Sequence, residues 1–416
     1  MQSLPLVLAG AARGVAEALR AAGHRAWLVG GAVRDLALEV EPKDADLASA
    51  ATPDELEDLF PTTHAVGRAF GTVVVRSAGI DVQVTTFRAE SAYDDARRPS
   101  SVRFGATLEE DAARRDFTCN SLYLDPLTDE LADPTGGLAD LAARRLRCVG
   151  DAAARFTEDG LRLLRLARLA AEHDLAVEAD TLAGARAALE ALRGVSPERV
   201  LAELTRMAEG RAPARAVRLL DEIGVLERLP GLRSVAGGTP LRARVEALAR
   251  LEGRGERRFF AVLLRPGPGE DPRPAADALA ELRPSRALLL GVQRVWELER
   301  ELAACLAALG RAGEKRARWV RVVRAPEFAD ALAVCVAWRP AEFVRERAEL
   351  ARRVAPLAHD ELWPAPLVTS AELAQAEIPR GPRWSELLRA AEDAQLEGEL
   401  CTPDEVRAWL AQRARE

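Results

Sequence analysis

Apolar and polar positions change rhythm once along this chain, near residue 150. Upstream, short apolar runs are broken by turns: Trp27-Leu28-Val29, then Gly30-Gly31, then a helix-forming stretch from Ala32 to Leu38. Thr72 to Arg76 and Ile80 to Phe87, joined by Ser77-Ala78-Gly79, predict two β-strands. Helical patterns cover residues 1–24, ending near Gly23, and a stretch opened by Thr52-Pro53-Asp54-Glu55 that runs to about Phe60. Thr107-Leu108-Glu109-Glu110 caps a short helix that delivers RRDFTCN, residues 114–120, into an expected further strand of the same sheet. Beyond Gly150 long helical periods take over. The pattern predicts an α+β chain: a small mixed sheet with helices against it, followed by an all-helical remainder.

Composition refines this picture. A chain of 416 residues is long for one core, and roughly two to four units are expected. A hydrophobic content of 48% is ample for a core, while 5% aromatic with much Ala and Leu suits helices packed on helices. The net charge of −7 gives no general attraction for nucleic acid, so any RNA contact must come from local patches. Lys43 and Lys315 are the only lysines; arginine is the better fork for phosphate, although genome composition accounts for most of this bias. Cys119, Cys148, Cys305, Cys335 and Cys401 are scattered without a C-x-x-C pair, which fits a reducing cytoplasm and argues against structural zinc. Leu4 to Ala12 lacks a preceding basic residue and reads as the first helix rather than a leader, and no run is long enough to cross a membrane.

The candidate chemistry centres on WLVGGAVRDLALEVEPKDAD, residues 27–46. Strand, glycine turn and helix bring backbone N–H groups close to an anion, and Arg34 in the first helical turn can reach the same anion. Asp44-Ala45-Asp46 is expected in an extended strand, where positions i and i+2 share a face. Paired carboxylates repel unless a cation lies between them, and Mg²⁺ prefers hard oxygen ligands. A Gly-Gly alone is only a turn and an Asp-x-Asp alone a solvated edge; a phosphate loop and a carboxylate pair together suggest nucleotidyl transfer. Asp81 shares a face of its strand with Gln83 and Thr85 and is a candidate third carboxylate, or a surface residue of a hairpin.

Other candidates flank this centre. Residues 88–104, with Tyr93, Asp94, Asp95, Arg97 and Arg98, read as a polar, mobile loop. Arg114 and Arg115 suit a triphosphate, or a solvated surface. Asp159, Arg162 and Arg165, spaced by three and continued by Arg168, form one helix stripe; it is either an ion-pair ladder or a set of partners for a base edge. Ser196-Pro197-Glu198-Arg199, with Glu203, opens a helix read as structural. Residues 311–324, including Arg316, Arg318 and Trp319, are locally basic with an aromatic, fit for an RNA backbone or simply a solvated helix.

Three separated segments, LVGGAVRD…DAD, RRDFTCNSLYLDP and EDGLRLLRLAR, together resemble the class II tRNA nucleotidyltransferases and bacterial poly(A) polymerases, in order and in spacing. The likeness is strong over roughly residues 25–205, and it continues more weakly in PLVTSAELAQAEIPRGPRWSELLRAAEDAQLEGEL. It implies a catalytic nucleotidyltransferase head (1–150), a base-selecting neck (151–230), a body (231–355) and a tRNA-binding tail (356–416). It also implies that Gly31, Arg34, Arg114 and Arg115 meet the triphosphate and that catalytic Asp44 and Asp46 hold two Mg²⁺. Asp159 and Arg162, with Arg165 and Arg168 behind them, would read the Watson–Crick edge of CTP or ATP. The reaction implied is template-independent transfer of CMP and/or AMP to the tRNA 3′ end in the cytoplasm. An A-adding enzyme acting after a CC-adding one, a poly(A) polymerase and an inactive tRNA-end binding protein stay open as alternatives. The loop at Asp94 to Arg98 resembles the element associated with switching from C to A addition.

Two departures stand out. Gln83 occupies the position where the family often has Glu, which puts the third carboxylate in question. The chain also lacks the clustered histidines of the phosphohydrolase domain found in many relatives: His173-Asp174 and His359-Asp360 stand without others around them, so that activity is not expected.

Overall fold

The structure, a computed structural model, describes residues 4–64, 71–95, 98–235 and 238–414; the side chains of residues 64, 89–102 and 238–240 lie outside the description. Two compact units divide the chain: Met1–Gly238 with Glu281–Arg283, and Thr239–Ala280 with Pro284–Glu416.

The first unit is built on a mixed sheet. Its strands are β1 (Ala26–Val29), β2 (Leu47–Ser49), β3 (Thr63–His64), β4 (Thr72–Ser77) and β5 (Ile80–Thr86), joined later by β8 (Tyr123–Leu124) and β9 (Leu131–Ala132). They run in the order β3-β4-β5-β2-β1-β8-β9. β2 is antiparallel to β1 but parallel to β5, with Leu47 opposite Val84 and Ser49 opposite Thr86. This mixed centre is the predicted one. β1 and β2 are buried throughout and read as apolar runs, whereas β5 alternates, with Val82 and Val84 fully buried and Asp81 and Gln83 exposed. Helix α1 (Leu6–Ala21) lays Ala11, Ala12, Val15, Ala16 and Leu19 against the sheet. Its small residues permit the close approach, and Ser77 Oγ donates to the Ala11 carbonyl.

Two expectations need correction. Residues 88–104 are not an irregular loop: β6 (Arg88–Asp95) and β7 (Arg98–Phe104) pair as an antiparallel hairpin, with Arg88 opposite Phe104. Tyr93, Val102 and Phe104 are aromatic or β-branched residues whose strand preference the surrounding charges masked. The side chains of Asp94, Asp95, Arg97 and Arg98, assigned to the switching loop, lie outside the described residues. RRDFTCN does not run into a sheet strand either: α4 (Leu108–Ala113) ends at Arg114, and Thr118–Asn120 forms a single 3₁₀ turn before β8.

The remainder of the first unit is mainly helical, with one short parallel pairing of Arg145–Leu146 and Ala176–Val177. After α5 (Gly137–Ala142) come α6 (Ala152–Glu158), α7 (Leu161–Glu172), α8 (Ala179–Ala187) and α9 (Pro197–Glu209). In the second unit the long helix Arg286–Ala308 packs on Glu256–Leu263 and Phe328–Trp338, and Trp296 Nε1 donates to the Ala261 carbonyl at 2.9 Å. A separate core of Val368, Leu373, Ile378, Leu387, Leu400, Val406 and Leu410 holds the last helices together.

Candidate active site at the glycine turn

β1 ends at Val29, and Gly30 turns the chain with φ +68° and ψ −128°, a conformation natural only to glycine. Helix α2 (Gly31–Ala37) follows at once. A Cβ on Gly30 would come 3.8 Å from Arg115 Nη1, and one on Gly31 3.5 Å from Arg34 Nη2, so both predicted phosphate arginines stand at this turn. Arg34 is 8% exposed. Its Nε and Nη2 donate to Asp35 Oδ1, and its Nη1 donates to Asn120 Oδ1 at 2.8 Å. Arg115 is held through Nε and Nη2 by Asp111, through Nε by the Tyr123 hydroxyl, and through Nη1 by the Asn120 carbonyl.

Asp44 and Asp46 sit in the lead-in to β2 rather than within it. The ladder nevertheless reaches Asp46, whose carbonyl accepts from Val29 N at 2.9 Å. The turn therefore has the carboxylates on its strand side and Arg34 on the helix that follows, while Arg115, just past the end of α4, stands by Gly30 and acts on Asp46. Burial first, and the neighbouring Asp44 second, push the Asp46 carboxyl up to about 6, against the pull of Arg115. A half-buried carboxylate beside a second one is a site that a divalent cation would relieve, and oxygen-only donors suit a hard ion.

Asp81 does not join the pair. It accepts from Arg76 Nη1 at 2.6 Å across the exposed β4–β5 turn, and among the described residues no cluster of three His, Cys, Asp or Glu is placed to hold a metal. The β2–β5 register, carried one step back from Leu47 and Val84, sets uncharged Gln83 beside Asp46.

Asp111 is the keystone that the sequence reading passed over. It is fully buried and accepts from Arg114, Arg115 and the Tyr123 hydroxyl. Burial alone would push its carboxyl up, but Arg115 and Arg114 hold it below the usual range. The signal was legible, since Asp at i with Arg at i+3 and i+4 is the helix ion-pair spacing. Arg114 is thereby turned onto Asp111 and the Arg88 carbonyl.

The proposed stripe is split. Asp159 is not on α7 but in the break after α6, with extended backbone, and its Oδ1 accepts from Leu161 N at the start of α7. Gly160 follows with helical backbone and packs closely on Ala191, whose carbonyl oxygen would lie 2.5 Å from a Cβ there. Arg162 donates to Glu158 and to the Arg155 and Arg114 carbonyls. Arg165 and Arg168, placed behind the base readers by the resemblance, are taken up elsewhere. Arg165 pairs with Asp116, and Arg168 pairs with the fully buried Glu203. Asp159 in turn is gripped by Arg199. Glu203 and Arg199 were read as structural, and no local spacing connects them to residues 159–168.

The basic patch of the second unit is also reassigned. Trp319 is 6% exposed and part of the core. Arg321 and Arg324 pin their helix to Glu392 and Asp393, and Arg316 lies 3.9 Å from Glu361, which leaves Arg318 as the exposed residue of the predicted trio. The apolar positions of Arg316–Arg324 point Trp319 inward, which a count of local charge does not reveal.

Residues 26–147 match the model of the poly A polymerase head domain, and residues 174–235 that of the probable RNA and SrmB-binding site of polymerase A. The CCA-adding enzyme of Geobacillus thermodenitrificans is 35% identical over 431 aligned positions, covering 97% of each chain. The chain belongs to the class II tRNA nucleotidyltransferases. A stronger local match, 41% over 249 residues, to the CCA-adding enzyme of another Geobacillus species spans 60% of this chain and 61% of that relative. Among solved structures, the Bacillus stearothermophilus CCA-adding enzyme in complex with CTP superposes with a TM-score of 0.79 at 28% identity, covering 99% of this chain and 98% of that one. The Thermotoga maritima CCA-adding enzyme complexed with tRNA, at 19% identity and a TM-score of 0.66, shares the fold. Nucleotidyltransferases of this family use divalent metals, which agrees with the charge balance at Asp44 and Asp46. Among the described residues, no helix is long and apolar enough to cross a membrane.

Proposed function

We infer that this nucleotidyltransferase transfers CMP and AMP from CTP and ATP to the 3′ end of tRNA, building the CCA terminus without a nucleic-acid template and releasing pyrophosphate. The observation that carries the reading is the nearness of Asp46, Arg34 and Arg115 to the Gly30-Gly31 turn, with Asp44 beside Asp46. End-to-end likeness to a CCA-adding enzyme supports it.

In this account Asp44 and Asp46 hold the divalent metal, with Mg²⁺ the natural choice for an all-oxygen site open to phosphate. When bound, such ions acidify an attacking hydroxyl and offset charge on the leaving group. The glycines let the triphosphate approach the backbone. Arg34 and Arg115 are oriented before substrate arrives, and each guanidinium has five N–H donors, more than the protein contacts occupy. The tRNA 3′-hydroxyl attacks the α-phosphorus, the bond to the β-phosphate oxygen breaks, and those arginines stabilise the departing pyrophosphate. Asp159 accepts from the exocyclic amine of cytosine or adenine, where uracil and guanine present a carbonyl, and Arg162 donates to the ring edge.

The division of labour proposed is catalysis in residues 1–150, base reading in 151–230, and tRNA binding through 231–355 and 356–416, in the cytoplasm. The test is purified protein with Mg²⁺, CTP or ATP singly, and RNAs ending before the CCA, after CC, or in a generic tail. C and A addition confined to tRNA supports the reading. A addition after CC alone would make the chain an A-adding enzyme, tailing of the generic RNA a poly(A) polymerase, and binding without addition an inactive tRNA-end binder.

A further inference from the structure

His173 leaves one ring nitrogen without a bond, and that nitrogen lies against Asp35 of α2. The residue sits just past the end of α7, where its backbone N–H donates to the Leu169 carbonyl at 3.1 Å, and its side chain is 5% exposed. Nε2 is buried with no hydrogen-bond partner and lies 3.9 Å from Asp35 Oδ1. That oxygen is the one that accepts from both Nε and Nη2 of Arg34. Burial, reinforced by Arg34 and Arg168, keeps the imidazole neutral, and a neutral ring has one N–H. A lone pair on Nε2 would be repelled by the carboxylate, so the proton belongs there. The ring is then an uncommitted donor aimed at the carboxylate that holds Arg34, and a buried orphan of this kind calls for an explanation.

Asp35 has use for such a donor. Burial pushes its carboxyl up against the pull of Arg34, and Glu172 and Asp44 add to the push. A triphosphate competes for the same guanidinium. As Arg34 leans toward the phosphates its bonds to Asp35 weaken, and a largely buried carboxylate is left undercompensated, at a cost in nucleotide affinity. We propose that His173 is a positioning residue for nucleotide binding, whose Nε2–H closes on Asp35 Oδ1 as Arg34 engages the triphosphate, so that Asp35 stays paired and Arg34 stays anchored. The inference rests on the reading of Arg34 as a triphosphate ligand. A shortening of about 1 Å turns the present approach into an ordinary hydrogen bond. A neutral donor suits the task, because it supports Asp35 without replacing Arg34 as its countercharge. The effect is common to CTP and ATP, since it acts through the phosphates and not the base.

Nucleotide-saturation kinetics with CTP and with ATP, at fixed tRNA and neutral pH, test this in His173→Leu, His173→Gln and Arg34→Lys. In His173→Leu the KM for both nucleotides should rise by about tenfold, the worth of one hydrogen bond to a charged group, with kcat, tRNA affinity and melting temperature retained. His173→Gln brings an amide donor to the same side of Asp35 and should recover most of the loss. An unchanged KM in His173→Leu overturns the proposal, and so does a His173→Gln enzyme as impaired as His173→Leu. A fall in kcat and tRNA affinity together with the melting temperature marks a purely structural role and overturns it too. In each of these cases a raised KM in Arg34→Lys leaves the triphosphate reading standing. An unchanged KM in Arg34→Lys would instead refute that reading, and the proposal with it.

Discussion

Arg165 on α7 meets Asp116 through both Nε and Nη2, at 2.7 and 2.5 Å, and this contact ties the helical part of the first unit to the RRDFTCN segment. The other oxygen of Asp116 accepts from Asn120 Nδ2, and Asn120 Oδ1 accepts from Arg34. Four side chains thus link α7 to the glycine turn. Burial would push the Asp116 carboxyl up, but Arg165 and the hydrogen bond from Asn120 hold it well below the usual carboxylate range. Asp116→Asn leaves Arg165 with Glu203, 4.0 Å away, as its nearest remaining countercharge and should cost about 2–4 kcal/mol, the lower end reflecting that second partner and the partial exposure of Arg165. Urea unfolding checks this, and a loss under about 0.5 kcal/mol, the level of an ordinary surface substitution, would contradict it.

Asn120 acts one step closer to substrate. Asn120→Ala removes the acceptor that orients Arg34, so kcat/KM for nucleotide should fall by about tenfold, while tRNA affinity stays unchanged. Nucleotide-saturation kinetics at fixed tRNA would separate the two. An equal loss in tRNA binding would place Asn120 in a general structural role.

Gly160 and Gly31 make a contrasting pair. A methyl group on Gly160 meets the Ala191 carbonyl carbon and oxygen at 2.6 and 2.5 Å, whereas on Gly31 it finds only ordinary contact with Arg34. Gly160→Ala should therefore destabilise by about 1–3 kcal/mol as an overpacking defect. Gly31→Ala should leave the melting temperature nearly unchanged but raise the nucleotide KM, which thermal melts and nucleotide-saturation kinetics on the two variants would show.

His173 gives the fold an acid limb. Its Nε2 is buried with no hydrogen-bond partner and lies 3.9 Å from Asp35. Burial, reinforced by Arg34 and Arg168, pushes its imidazole down to about 3 from the ordinary 6.5. The unfolded chain thus takes up the proton first, so stability falls as pH drops below 6.5, by at most about 1.4 kcal/mol per pH unit from this group. Denaturant midpoints of wild type and His173→Gln, measured between about pH 4 and 7, should show a shallower acid limb in the variant; parallel limbs would exclude His173 as the cause.

The second unit offers a test of the reassigned patch. Trp319→Ala should destabilise by about 3–5 kcal/mol as a core truncation and should not change the salt dependence of tRNA binding. Reversing the exposed Arg318 to Glu should leave stability intact. A change in salt dependence from Trp319→Ala alone would return that side chain to the RNA surface.

What the sequence disclosed follows the range of its interactions. The β1–turn–α2 unit and the α+β order were legible because each rests on local period, and the nearness of Asp44 to Asp46 follows from their spacing, although both precede β2 rather than lie in it. The strand content of 88–104 was hidden by its charges. The fates of Arg165, Arg168 and Asp159 were not legible, because Asp116, Glu203 and Arg199 lie 35 to 49 residues away and meet them only through helix packing. Trp319 was misplaced for the same reason: burial is decided by the partner helix, not by neighbouring arginines.

The central claim is that Asp44 and Asp46 form the catalytic centre, and Asp46→Asn tests it most directly. In single-turnover extension of a tRNA lacking CCA with Mg²⁺ and CTP, the rate should fall by about 10³-fold or more, the scale of losing a charge-stabilising group at the reacting centre, with tRNA affinity retained. A variant that still extends the tRNA within about tenfold of the wild-type rate would contradict the account.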